Sequence, residues 1–239
     1  CGLVVADGGS TDRTREIVRR LQAEDPRIAL VHNDKRVQSA AVNLVARLCG
    51  GHARHLVRAD CHSRYPPGFV AGCVATLERL GVASVVVPMR TIGSGCMQRA
   101  IAAAQNSRIG NGGSPHRIEG RSRHVDHGHH AAFDLRAFLE VGGYDERFSH
   151  NEDAELDLRL AKAGSRIYLD AARPIDSYPR PPRGALARQY LNFGWGRANT
   201  LLRHRAVPRL RQVAPIGVLG LNSLGLASAW LDPRALAVP

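Results

Sequence analysis

The sequence predicts an α/β fold, with a mostly parallel central sheet flanked by helices and with C-terminal membrane-associated helices behind it. Three observations predict it. Short apolar runs alternate with stretches of helical apolar spacing through residues 2–88, which implies right-handed crossovers and a sheet covered on both faces. The 239 residues are 44% hydrophobic and 23% charged without a low-complexity run, which excludes a disordered chain, a collagen-like fibre or a coiled coil. Near the end, the uncharged stretch 213–231 follows a basic flank of Arg203, His204, Arg205, Arg209 and Arg211, the pattern of a segment entering a membrane from its cytoplasmic side.

The elements follow in order. Residues 2–6 read as a strand that ends at Asp7, and Asp7-Gly8-Gly9-Ser10-Thr11-Asp12 is a turn cluster. Ile17, Val18 and Leu21 then recur at helical spacing. Residues 28–32 are a second strand and 38–49 a second helix. Residues 55–59 are a third strand ending at Asp60, and 67–80 a third helix opened by a proline pair. Residues 82–88 give a fourth strand. A short helix over 98–107 leads into 109–123, rich in Gly, Arg and Ser, which reads as a flexible active-site loop. Helices over 135–141 and 152–163 flank the turn Gly142-Gly143-Tyr144-Asp145-Glu146, with Gly164 as a C-terminal cap. A last strand covers 167–169. The Pro-rich 174–182 precedes an Arg-studded helix over 185–205.

Charge narrows the partners. There are 33 basic against 21 acidic residues, a formal +12, and every basic residue except Lys35 and Lys162 is Arg, the better bidentate binder of phosphate. Anionic partners are expected. Nucleic acid is disfavoured, because the Arg residues are scattered over the elements and an aromatic content of 5% leaves little to stack bases on. Five cysteines without a C-x-x-C pair argue against a disulfide scaffold or zinc ribbon and for a reducing compartment. The chain opens on Cys1 with a strand already in progress, so a preceding strand is expected to be missing.

Acidic groups cluster where strands end. Asp7 closes the first strand, where a carboxylate meets a ribose or base edge, although Asp-Gly-Gly is also ordinary turn chemistry. Asp60 and His62 flank one residue at the end of the third strand; in an extended segment both side chains fall on one side, where they can share a divalent cation with a diphosphate. Glu152 and Asp153 open a helix, where the helix dipole favours acids and where a carboxylate can also serve as general base. His127, His129 and His130 lack a Cys or Glu to complete a tetrahedral zinc set, and alternation divides neighbours between two faces.

Asp7-Gly8-Gly9-Ser10-Thr11-Asp12-x-Thr14 after a strand, Gln38-Ser39-Ala40-Ala41-Val42-Asn43, Arg58-Ala59-Asp60-Cys61-His62, Gly142-Gly143-Tyr144-Asp145-Glu146 and Asn151-Glu152-Asp153-x-Glu155-Leu156 occur together in this order. With this set, spanning about residues 2–200, the chain resembles the family-2 glycosyltransferases of GT-A fold, nearest to the membrane-associated exopolysaccharide enzymes of the succinoglycan-biosynthesis type. The resemblance implies inverting transfer of a hexose from a nucleotide-diphosphate sugar, a UDP-sugar donor, to a saccharide acceptor linked to polyprenyl diphosphate. It implies work at the cytoplasmic face of a bacterial inner membrane. Asp153 then aligns with the catalytic base and Glu152 is its acidic neighbour. Asp7 would contact base or ribose, and Arg36 and Arg58 phosphate oxygens unless they are solvated surface residues.

Asp60 and His62 occupy the family's Asp-x-Asp position beside Mn²⁺ or Mg²⁺. The histidine is a departure: it suits Mn²⁺ but adds no negative charge. His127, His129 and His130 would line the sugar or acceptor pocket, unless they are satisfied by buried hydrogen bonds. Gly194-Trp195-Gly196-Arg197 stands where processive relatives carry Gln-x-x-Arg-Trp, so Trp195 and Arg197 would cover diphosphate or acceptor while single-sugar addition is favoured. The expected organisation is a GT-A catalytic domain over 1–182, a basic interfacial helix over 183–211 and a transmembrane or membrane-embedded segment over 212–239. The competing readings are an inactive or incomplete GT-A binding module and a basic nucleic-acid-binding protein.

Overall fold

The computed structural model describes residues 2–108, 110, 111, 114, 117, 120–148, 150–178, 183–208 and 210–228. Its core is a sheet seeded by Ser84–Val87 (β5), four residues buried on both faces. Alternation along this strand divides the core in two. Val86 faces Phe133, Phe138, Leu156 and Leu160, whereas Val85 and Val87 face Phe69, Cys73 and Leu77. Helices therefore cover both faces, as the pattern predicts. One face takes Gln38–Cys49 (α2), Leu135–Glu140 (α5) and Glu152–Lys162 (α6); the other takes Phe69–Leu80 (α3). On α3, Phe69, Cys73, Thr76 and Leu77 form the buried stripe.

The sheet is not mostly parallel, which corrects that expectation. Its order is His55–Val57 (β3), His129–Asp134 (β8), β5, Ile167–Leu169 (β9) and Arg123–Val125 (β7), and only the β5–β9 pair is parallel. The difference comes from β8, a strand whose Gly-His-His start does not read as β and which returns antiparallel between β3 and β5. Register shifts between Val85 and Val86, which pair with Ala132 and His130, so Ala131 is the extra residue of a bulge. A separate parallel pair joins Leu3–Asp7 (β1) to Ile28–His32 (β2). A three-stranded sheet orders Ser63–Arg64 (β4), Ile175–Ser177 (β10) and Met89–Thr91 (β6).

Thr14–Glu24 (α1) links β1 to β2, and Cys96–Asn106 (α4) packs on β6. Of the loop expected over 109–123, residues 109, 112, 113, 115, 116, 118 and 119 lie outside the described residues. Arg183–His204 (α7) and Leu210–Ser228 (α8) complete the chain. Among the described residues no helix is long and apolar enough to cross a membrane, and 229–239, the rest of the expected membrane segment, lie outside them.

Antiparallel insertion of β8 has a geometric consequence. Its first residues, His129 and His130, lie beside the carboxyl ends of β3 and β5, the edge where α6 also begins.

Candidate active site

A cleft of about 900 Å³ opens at that edge. Arg58, immediately after β3, is its organising group. Its guanidinium is buried and donates through Nη1 to Asp153 Oδ1 at 2.8 Å and contacts the Tyr144 hydroxyl, also at 2.8 Å. Nη2 lies 3.4 Å from Asp153 Oδ2 and 3.2 Å from His129 Nδ1. Nε is 3.7 Å from Asp60 Oδ1. Tyr144 donates to the same Asp153 oxygen at 2.7 Å. Arg58 is therefore neither a solvated surface residue nor a free phosphate ligand in this state. It bridges the two carboxylates that the sequence singles out.

The Tyr144 turn is set by α2. Asn43, buried on that helix, donates to the Tyr144 carbonyl at 2.7 Å and accepts from the Tyr144 amide at 2.8 Å. Gly143 has φ +68°, and a Cβ there would overlap Asn43 Oδ1. The Gly-Gly-Tyr spelling thus has a packing reason. The sequence offers Asn43 and Tyr144 as motif letters but not as the residues that aim Asp153.

Burial and charge separate the two acids on α6. Burial opposes ionisation of Asp153, yet the adjacent Arg58, with His130 second, outweighs it and holds its pKa well below the usual carboxylate range. Burial, then the charge of Asp153, pushes Glu152 up to about 7. His129 is pulled down to about 3, by burial first and then by Arg58, and so stays neutral.

Asp60 accepts from Gln38 Nε2 at 2.6 Å. The Asp60 carbonyl accepts from the Ser63 amide at 3.1 Å, so Asp60-Cys61-His62 forms a tight turn rather than the expected extended segment. Asp60 and His62 still line the same cleft. Among the described residues no cluster of three or more His, Cys, Asp or Glu groups could hold a metal. Two cleft-lining protein donors fit a cation completed by substrate phosphate oxygens and water, not an all-protein cage.

The remaining sequence candidates fall into two groups. Arg36, with φ +56°, His127, His129 and Arg197 line the cleft. Asp7, His130 and Trp195 do not. Asp7 closes its own turn, accepting from the Ser10 and Gly9 amides at 3.0 and 3.2 Å and from Arg15 at 2.6 Å. Those Ser10 bonds first of all hold its pKa low. His130 is fully buried; its Nδ1 meets Ser84 Oγ at 2.6 Å and its Nε2 is 2.8 Å from Asp157 Oδ1. His127 Nδ1 meets the other Asp157 oxygen at 2.5 Å. Asp157, one turn after Asp153, thereby ties α6 to β8, a residue the sequence reading passed over. Trp195 is 73% exposed on α7. A larger groove, about 1200 Å³, opens at the opposite end of the strands, but its Arg54–Glu78 and Arg136–Glu140 charges pair with each other.

Residues 2–142 match the profile of Glycosyl transferase family 2. The chain is 50% identical over 216 residues to the succinoglycan biosynthesis protein ExoA of Rhizobium meliloti (strain 1021), covering 90% of this chain and 66% of that protein. It thus spans just under two thirds of that relative's length. Among solved structures, GalNAc-T7 with UDP, GalNAc and Mn²⁺ superposes at TM-score 0.56 with 12% identity, over 75% of this chain and 38% of that one. S. aureus TarS 1–349 in complex with UDP-GlcNAc gives 0.55 with 13% identity, over 84% and 57%. At such identities the likeness is one of fold.

Proposed function

The chain belongs to glycosyl transferase family 2, and from that premise we propose that it is an inverting hexosyltransferase of exopolysaccharide biosynthesis. It takes a UDP-sugar donor and a saccharide acceptor linked to polyprenyl diphosphate, at the cytoplasmic face of a bacterial inner membrane. The observation that carries the reading is the Arg58–Asp153 pair, buried and facing a cleft whose wall also presents Asp60, His62 and Arg36.

Inversion in one step needs a base on the acceptor side and positive charge on the leaving diphosphate. Asp153 is the base. It stays ionised at neutral pH, and Tyr144 and Arg58 fix its Oδ1 so that the carboxylate is oriented before the acceptor hydroxyl arrives. Glu152, raised to about 7, retains much of its proton near neutrality and so spares Asp153 a second adjacent negative charge. Arg36, which lines the same cleft, opposes the charge that builds as the sugar–phosphate bond breaks. A divalent cation, when bound, supplies further neutralisation at the diphosphate; Asp60 and His62 would hold it, and a neutral imidazole in place of a carboxylate favours Mn²⁺ over Mg²⁺.

The test is Asp153→Asn. Transfer of labelled sugar should fall about 10²- to 10⁴-fold, while UDP-sugar affinity by calorimetry stays within a few-fold. An unchanged rate would remove Asp153 from the chemistry.

A further inference from the structure

The half of the cleft away from Asp153 contains a second polar assembly. Asn106, at the end of α4, grips Thr91 on β6 by both backbone groups, accepting from its amide at 3.0 Å and donating to its carbonyl at 2.9 Å. The Thr91 hydroxyl, nearly inaccessible, donates to Gln105 Oε1 at 3.0 Å. Its lone pair is thereby turned to Arg117, whose Nη1 donates to it at 3.1 Å. Gln105 Nε2 in turn reaches the Tyr190 hydroxyl at 3.4 Å. Residues of α4, β6 and α7 thus form one polar chain whose Thr91 hydroxyl meets the Arg117 guanidinium at the cleft wall.

That guanidinium has no carboxylate within ion-pair distance among the described residues, in contrast to Arg58. Burial pulls its pKa down, and only Tyr190 counters this. A half-buried, oriented cation with no carboxylate partner among the described residues is well placed to take its counter-charge from a ligand. It is near enough to the catalytic cluster for its charge to bear on His129. Beside it the cleft is lined by Tyr178, Tyr190 and Phe193, all substantially exposed. Cation and aromatic surface together fit an anionic group carried on an apolar body.

We propose that Arg117 anchors the acceptor: it binds a phosphate oxygen of a diphosphate-bearing amphiphile whose apolar part lies on Tyr178, Tyr190 and Phe193. The assignment rests on the transferase reading of the cleft, and it separates the acceptor's phosphate from the donor's. The experiment titrates farnesyl diphosphate, as a soluble lipid diphosphate, into protein saturated with UDP and Mn²⁺, and titrates UDP alone in parallel. Arg117→Met should weaken farnesyl diphosphate binding by about tenfold or more and leave UDP affinity within twofold; Arg117→Lys should recover part of the loss.

Thermal unfolding monitors the fold. Should the Met variant fail to fold, Thr91→Val, which removes the group that aims Arg117, is expected to give the same selective loss. Weakened UDP binding instead would mean that Arg117 serves the donor, and unchanged binding of both ligands would make it structural; either result overturns the proposal. If wild-type protein binds no UDP yet binds farnesyl diphosphate through Arg117, the anchor stands and the transferase reading falls.

Discussion

Arg58, itself buried, holds the partly buried acids Asp60 and Asp153 in place, and substitution should expose how much each depends on it. Removing the cation while leaving Asp153 buried costs about 3–5 kcal/mol, so Arg58→Met should lower the urea midpoint sharply and abolish activity. Arg58→Lys keeps the charge but not the fork that spans Tyr144, Asp153 and His129, so it should regain stability more than turnover. Glu152 yields a pH prediction of opposite sign to the usual carboxylate. Its folded pKa of about 7 exceeds the unfolded value of 4.5, so between these values the folded state keeps a proton that the unfolded state has lost. Stability attributable to Glu152 therefore falls as pH rises through that window. Asp153, depressed in the folded state, gives stability that is present above its unfolded pKa and lost only in stronger acid. Denaturant midpoints at pH 5 and pH 7.5 should differ more in wild type than in Glu152→Gln, and equal differences would place the titration elsewhere.

At the scale of elements, the cleft depends on close approaches that only glycine permits. Gly196 brings α7 against the start of α6: a Cβ there would lie 2.5 Å from the His150 carbonyl. The same contact is fastened by Asn151 to Thr200 at 3.0 Å, His204 to Glu155 at 2.9 Å and Arg203 to Asp145 at 2.9 Å. Gly196→Ala should push α7 away, lowering acceptor affinity more than donor affinity because Tyr190 and Phe193 ride on that helix; an equal loss of both would contradict this. Gly143→Ala, at φ +68° against Asn43, should cost about 1–3 kcal/mol in strain alone. Helices with plain apolar spacing, such as α2, α3 and α6, were legible within a residue or two, and so were the acids at the start of α6. The motif order carried Asp60, Glu152 and Asp153 to one cleft. What the sequence hid was partnership across long separations: Asn43 with Tyr144, Asp157 with His130, Thr91 with Arg117. No local period encodes such pairs. The short strands β4, β6, β7, β8 and β10 were missed for the same reason, since their pairing, and not their composition, makes them strands.

Across the whole molecule, the +12 charge and the exposed apolar stripe of α7 lead to one prediction, docking on an anionic membrane surface. Leu191, Trp195 and Leu202 recur at helical spacing and are 74%, 73% and 78% exposed. Such a face costs free energy in water and gains about 1.5–3 kcal/mol per large side chain when buried. It lies on the helix whose other face walls the cleft, so docking it on lipid would hold the cleft close to the membrane surface. Charge and apolar burial then make separable contributions. Sedimentation with vesicles rich in phosphatidylglycerol should weaken as salt rises, because attraction to the anionic surface is screened. The triple change Leu191→Ser, Trp195→Ser, Leu202→Ser should weaken it at any salt concentration while thermal unfolding is unaltered. Binding that survives the triple change but vanishes in salt would reduce the contact to electrostatics and leave the α7 stripe without a membrane role.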